Sequence, residues 1–137
     1  MNKLKLACIA SLLATGLSVN AATPCNGFEI KIKNHLADDL LVTKSSLIGA
    51  QLQPDGVQKI SAKTEQVYTI NNSAAGVAMK GDLILHTISI PTKEVKIQFD
   101  LNNGTLACKH TDNSPESDYT LTKVRVPGKV EYIVSNR

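Results

Sequence analysis

Apolar and polar residues alternate in run after run of the chain beyond Ala22, broken on the polar face by Ile133, and this restricts the fold more than any other feature. Phe28, Ile30 and Ile32 alternate with Glu29, Lys31 and Lys33. Val95, Ile97, Phe99 and Leu101 alternate with Lys96, Gln98 and Asp100. The same holds for Tyr119 and Leu121, and for Val130, Tyr132 and Val134. A period of two places successive side chains on opposite faces of a strand, so each run has one face to bury and one to wet. Residues 83–90 are apolar on both faces apart from His86, Thr87 and Ser89, which predicts a central strand. Residues 39–47, 57–62 and 66–71 add further strands, while helical periodicity is nearly absent. The expectation is an all-β fold: an antiparallel β-sandwich or small barrel of about 7–9 strands.

Turn chemistry separates the runs. Signals stand at residues 34–39, Gln53-Pro54-Asp55-Gly56, Pro91-Thr92 and Pro127-Gly128. Asn103-Gly104 suits the centre of a type I′ turn. That register would set Leu101 opposite Leu106, Phe99 opposite Cys108 and Ile97 opposite His110, with Cys108 on the buried face. Tyr119–Leu121 and Val124–Val126 are out of phase, which predicts a β-bulge near Thr122 or Lys123. Residues 112–117 are polar and contain Pro115, the composition of a mobile loop. No linker, composition break or repeat divides residues 22–137, so one domain is expected.

The first 21 residues have a different character. Lys3 and Lys5 precede an uncharged apolar run, residues 6–19, and Val19-Asn20-Ala21 offers a cleavage site. This is the pattern of a secretory signal peptide cut near Ala21, leaving 137 − 21 = 116 residues. Lys3 and Lys5 leave with it, so 15 − 2 = 13 bases remain against 12 acids. Those charges are interleaved rather than clustered, which argues against nucleic acid and against simple electrostatic docking on a membrane. Of the three cysteines, Cys8 lies in the leader. Cys25 and Cys108 remain, and in an oxidising compartment they predict one disulfide closing a loop of more than eighty residues. A secreted or periplasmic location follows.

No constellation announces catalysis. His35, His86 and His110 lack metal-ligand spacing, no Cys-x-x-Cys or Gly-x-Ser-x-Gly occurs, and no Gly-rich phosphate loop is present. No cofactor and no metal are expected. His86 reads as a core histidine with a satisfied hydrogen bond. His110 could lean toward Asp112, which keeps open a hydrolase using His110 or His86 with a carboxylate. Asp38-Asp39 reads as a turn that caps a strand. Tryptophan is absent, which weakens a sugar platform or an aromatic membrane belt. Residues 73–79 are small and apolar; they form either an exposed loop tip able to meet a partner or, over residues 76–79, a short buried strand.

The mature region resembles small secreted β-sandwich proteins of Gram-negative bacteria, the type II secretion substrates. The runs FEIKIKN, DLLVTKSSL and EVKIQFDL also resemble the strand openings of aegerolysin-type sandwiches. The first resemblance implies export and, for some members, a role in virulence. The functional expectation is an exported, non-catalytic binding protein that acts on a protein or cell-envelope component outside the cytoplasm. A lipid-binding sandwich is a further alternative; a membrane partner is not favoured. The candidate binding residues are Asp112, Asn113, Glu116, Asp118 and Tyr119 in one loop and Val77 and Met79 in the other.

Overall fold

The alternating runs form ten strands within residues 22–137, the part of the chain that the computed structural model describes. The expected leader, residues 1–21, lies outside the described residues. In chain order the strands are β1 (Glu29–Asn34), β2 (Leu40–Ile48), β3 (Gln51–Gln53), β4 (Gln58–Ile60) and β5 (Glu65–Asn71). Then come β6 (Met79–Thr87), β7 (Glu94–Asn103), β8 (Cys108–Asp112), β9 (Thr120–Val126) and β10 (Lys129–Ser135). One sheet has the order β9-β10-β1-β5-β3 and the other β4-β2-β6-β7-β8.

The core lies between the sheets. Ile30, Ile32, Tyr68, Ile70, Val130, Tyr132 and Val134 of the first sheet are fully buried. They meet Leu40, Val42, Leu83, Leu85, Val95, Ile97 and Leu101 of the second. The wet face of the first sheet is neutralised by cross-strand ion pairs. Lys31 lies 3.4 Å from Glu65, and Lys33 lies 3.2 Å from Glu131. This is the interleaving of charge seen in the sequence, now laid out as a ladder.

The fold class is as expected, with several local differences. Ten strands exceed the expected number because β3, three residues long with Leu52 as its core residue, is too short to show a period. All neighbours are antiparallel except β10 and β1, which are parallel. These are the last and first strands; no turn joins them, so nothing local favours antiparallel pairing. The strand expected at residues 83–90 is central but runs from Met79 to Thr87, and Ile88 and Ile90 are exposed. β9 pairs with β10 without a bulge. The irregularity lies instead in β2, between Val42 and Lys44. It brings Leu40, Val42 and then Leu47 to the inner side despite their uneven spacing.

The β7–β8 hairpin also departs from the expected register. Asn103 pairs with Cys108, Leu101 with His110 and Phe99 with Asp112, which leaves residues 104–107 as the loop. Neither Asn103 nor Gly104 takes the left-handed φ that a type I′ turn needs. Asn103 is held elsewhere: its Oδ1 accepts from the Cys25 backbone N–H at 2.7 Å, and its Nδ2 donates to Ser73 Oγ at 3.1 Å. The slip is four residues, an even number, so Cys108 keeps its inward face. It bonds Cys25 with Cα atoms 4.6 Å apart, across 83 positions of sequence.

Gly81 shows how closely neighbouring strands of one sheet fit. It lies opposite Phe99, and a Cβ placed on it would stand 2.0 Å from the Phe99 ring. The ring therefore lies directly over bare backbone. Gly81→Ala should cost about 2–3 kcal/mol through overpacking, measured by urea unfolding. Gly81→Ala combined with Phe99→Leu should recover part of that loss.

Candidate binding site

The strand directions sort the connections into two ends of opposite character. At the disulfide end lie residues 22–28, 49–50, 72–78, 104–107 and 127–128. None of these residues is Asp, Glu, Lys or Arg. At the far end the connections carry Asp38, Asp39, Lys63, Lys93, Glu116 and Asp118, with Arg137 beyond β10. The uncharged end also exposes large apolar side chains: Leu106 is 94% accessible and Ile48 69%, with Val77 and Val126 also exposed.

This end is bound together by short-range chemistry. Asn26 Oδ1 accepts from both the backbone N–H and the hydroxyl of Ser73 at 2.8 Å. Asn103 Nδ2 reaches Ser73 Oγ and the Ala74 carbonyl. Gly49, at φ +94°, lets the β2–β3 connection pass Ala78; a Cβ there would meet the Ala78 carbonyl oxygen at 2.6 Å.

Between the free edges of the sheets, β8 and β9, runs a directed hydrogen-bond chain. β8 turns Cys108, His110 and Asp112 inward, and β9 turns Leu121, Lys123 and Arg125 toward them. Arg125 Nε lies 3.0 Å from His110 Nδ1. A guanidinium can only donate, so Nδ1 accepts and Nε2 carries the proton. Nε2 then donates to the Tyr132 hydroxyl at 2.9 Å, and that hydroxyl donates to Asp112 Oδ1 at 2.9 Å. Ser114 Oγ donates to the same oxygen at 2.7 Å, and Lys123 Nζ stands 3.3 Å from Oδ2. The His110 ring is stacked with Phe28 and Phe99.

These contacts set the protonation states. Burial, assisted by the Arg125 charge, pushes His110 down from 6.5 to about 4. Burial and then Asp112 push the Tyr132 hydroxyl up. Burial alone would raise the Asp112 carboxyl, but hydrogen bonds from Ser114, Tyr132 and Lys123 together hold it below the usual carboxylate range. Both nitrogens of His110 are thus occupied by Arg125 and Tyr132, and its imidazole is neutral near pH 7. The chain braces the open edge, and the inward lysine and arginine of β9 are the kind of charge that keeps an edge strand from pairing with another chain.

Beside this chain, at the uncharged end, lies a cleft of about 330 Å³. Pro24, Phe28, Leu106 and Val126 supply apolar walls, and Arg125 and Lys129 supply cations. No carboxylate among the described residues pairs with Arg125, whose one side-chain hydrogen bond uses Nε.

The two candidate loops do not come together; they belong to opposite ends. Val77 lies in the exposed stretch 74–78, so the loop alternative holds there. Met79 opens β6 and is fully buried, a core residue rather than part of a binding surface. Asp112 is drawn inward by Tyr132. The segment 112–117, expected to be mobile, is instead laid along β7 together with Asp118. Ser114 Oγ accepts from the Gln98 N–H at 3.0 Å, and Asp118 Oδ2 accepts from the Glu94 N–H at 3.0 Å. Asn113 donates its backbone N–H to the Gln98 carbonyl at 2.7 Å. Side chains thus satisfy an edge that Pro115 cannot pair as a regular strand. Glu116 is exposed in that segment. Tyr119 is buried, its hydroxyl 3.0 Å from Thr87 Oγ1.

Of the histidines, His86 is half-buried on the outer face of β6 rather than in the core, with Nδ1 3.0 Å from the Pro91 carbonyl oxygen. Asp38 caps the turn as expected: the Ser89 hydroxyl and N–H donate to its Oδ2, and the hydroxyl contact holds its carboxyl below the ordinary value. Sequence reasoning missed Leu106, which the wrong hairpin register had placed on the buried face. It also missed Arg125, because an inward-pointing arginine on an alternating strand looks like any wet-face residue. No protein-family model matches this chain, and no curated protein matches it.

The His110 environment makes stability pH-dependent. Its folded value lies below its unfolded one, so between them the unfolded chain binds more protons. Stability is therefore full above about pH 6.5 and falls as pH drops toward about 4. The loss should be about 2–3 kcal/mol, at about 1.4 kcal/mol per pH unit. Asp112, whose folded value is also depressed, adds its own loss at lower pH. His110→Gln keeps an acceptor and a donor but cannot titrate. Urea unfolding from pH 7 to pH 4 should show a flatter profile for that variant.

Proposed function

We propose that this protein is an exported, non-catalytic binding module that presents its disulfide end to a protein or cell-envelope component outside the cytoplasm. The observation that carries this reading is the asymmetry of charge: every connection at one end lacks ionisable carboxylates, ammoniums and guanidiniums, while the other end is dense with them. Solvated loops ordinarily carry charge, and a charge-depleted surface with exposed leucine, isoleucine and valine is the usual composition of a contact face.

Three further points support it. The Cys25–Cys108 bond is compatible with an oxidising compartment, and the leader pattern of residues 1–21 agrees with export. His110, the best candidate for a general base, has both nitrogens committed to structural partners.

The test is retention of the oxidised 22–137 protein on isolated cell envelopes of the producing organism. Val77→Asp and Ile48→Asp each place a charge at the uncharged end without entering the core. Each should weaken retention at least tenfold. Ile88→Asp, on a residue at the far end about as exposed as Val77, should leave it unchanged. The reverse pattern, or indifference to all three, contradicts the proposal.

A further inference from the structure

We propose that the cleft beside the disulfide binds an anionic amphiphile, an apolar chain that ends in a phosphate or carboxylate. This rests on the reading of the disulfide end as the binding end and gives that end a ligand chemistry.

The cleft combines two surfaces that ordinary protein exteriors keep apart. Its apolar side is built by Pro24 and Phe28 from the segment before β1, Leu106 from the β7–β8 loop and Val126 from the end of β9. Leu106 stands at the rim almost fully exposed, so an apolar chain seated there would remove a large hydrophobic surface from water. The charged side is formed by Arg125, with Lys129 nearby. No residue lining the cleft is acidic. The volume, about 330 Å³, is at the small end of ordinary ligand clefts of roughly 300–1,000 Å³. It suits a head group and the first part of a chain rather than a whole lipid.

Arg125 is prepared for an anion. Its Nε is spent on His110, which fixes the plane of the guanidinium against the cleft wall. The two Nη groups remain, and a planar pair of donors fits phosphate or carboxylate oxygens side by side. The neighbouring carboxylate, Asp112, is already engaged by Lys123, Tyr132 and Ser114, so it does not compete for Arg125. A purely cationic partner would find no counter-charge in the cleft.

The experiment is an amide NMR titration of the oxidised 22–137 protein with dodecyl phosphate below its micelle-forming concentration, with dodecyltrimethylammonium as the cationic control. The proposal expects saturable shifts in residues 104–110 and 124–129 with the phosphate and none with the ammonium. Leu106→Asp alters an exposed side chain and should leave the fold intact while weakening binding at least tenfold. Arg125→Gln should do the same. Absence of saturable shifts, an equal response to the cation, or indifference to Leu106→Asp overturns the proposal. Co-sedimentation then identifies the source. Binding to phosphatidylglycerol-containing vesicles but not to phosphatidylcholine alone assigns the ligand to a bilayer; dodecyl phosphate binding without vesicle binding assigns it to a free amphiphile. If Val77→Asp abolishes envelope retention while dodecyl phosphate leaves the protein unmoved, this inference fails and the broader reading of the end stands.

Discussion

The Cys25–Cys108 bond is the constraint on which the rest of this molecule is arranged. Cys25 precedes the first strand of one sheet, and Cys108 begins the edge strand of the other. A sandwich holds its sheets together by buried apolar contact, which is strong but has no direction. The covalent link adds position. It brings Asn103 against the Cys25 backbone, and through Asn103 it gathers Ser73, Ala74 and Asn26. Three connections far apart in sequence thereby become one surface. There the Cys25 and Ser73 N–H groups and the Ala74 carbonyl are answered by the uncharged side chains of Asn103 and Asn26.

The opposite end is held differently. Asn34, fully buried at the end of β1, donates to the Asp38 and Ile60 carbonyls and accepts from the Leu36 N–H. It thus spans from the first sheet to β4 of the second without a covalent bond. Around it the loops are charged and capped, as solvated loops usually are. The open flank between β8 and β9 is closed by the Arg125–His110–Tyr132–Asp112 chain, which fills with polar atoms a place where two edge strands would otherwise expose core. Burial of a neutral histidine makes this brace sensitive to acid; the same arrangement presents Arg125 to the cleft.

Much of the fold was legible because strands write a period of two into the sequence. β1, β7 and β10 follow directly from Ile30-x-Ile32, Val95-x-Ile97-x-Phe99 and Val130-x-Tyr132-x-Val134. The disulfide was legible because Cys8 falls in the expected leader, which leaves Cys25 and Cys108 a single pairing. What failed were decisions made by tertiary contacts. Asn103-Gly104 has ideal local chemistry for a two-residue turn, yet Asn103 is worth more as a bridge to Cys25 and Ser73, and the hairpin slips. Residues 112–117 look mobile by composition, but their serines, with Asp118, are spent on the free N–H groups of β7. The bulge at Val42/Lys44 is hidden in a run, Leu40-Leu41-Val42, that is apolar at consecutive positions. The candidate site was half visible: Val77 lay in an apolar segment that reads either as a loop tip or as a short buried strand, whereas Leu106 and Arg125 acquire meaning only once the strand ends are known.

The central claim is that one covalent link organises the disulfide end, the proposed binding surface. Closing a loop of 83 positions should contribute about 4.5 kcal/mol. Urea unfolding of the oxidised protein against the Cys25→Ala, Cys108→Ala double variant, with hydrogen exchange on both, tests this most directly. The account predicts a loss of about 4–5 kcal/mol, with protection vanishing first at Gly27 and Ser73. A variant that loses less than about 1 kcal/mol and keeps that protection would contradict it.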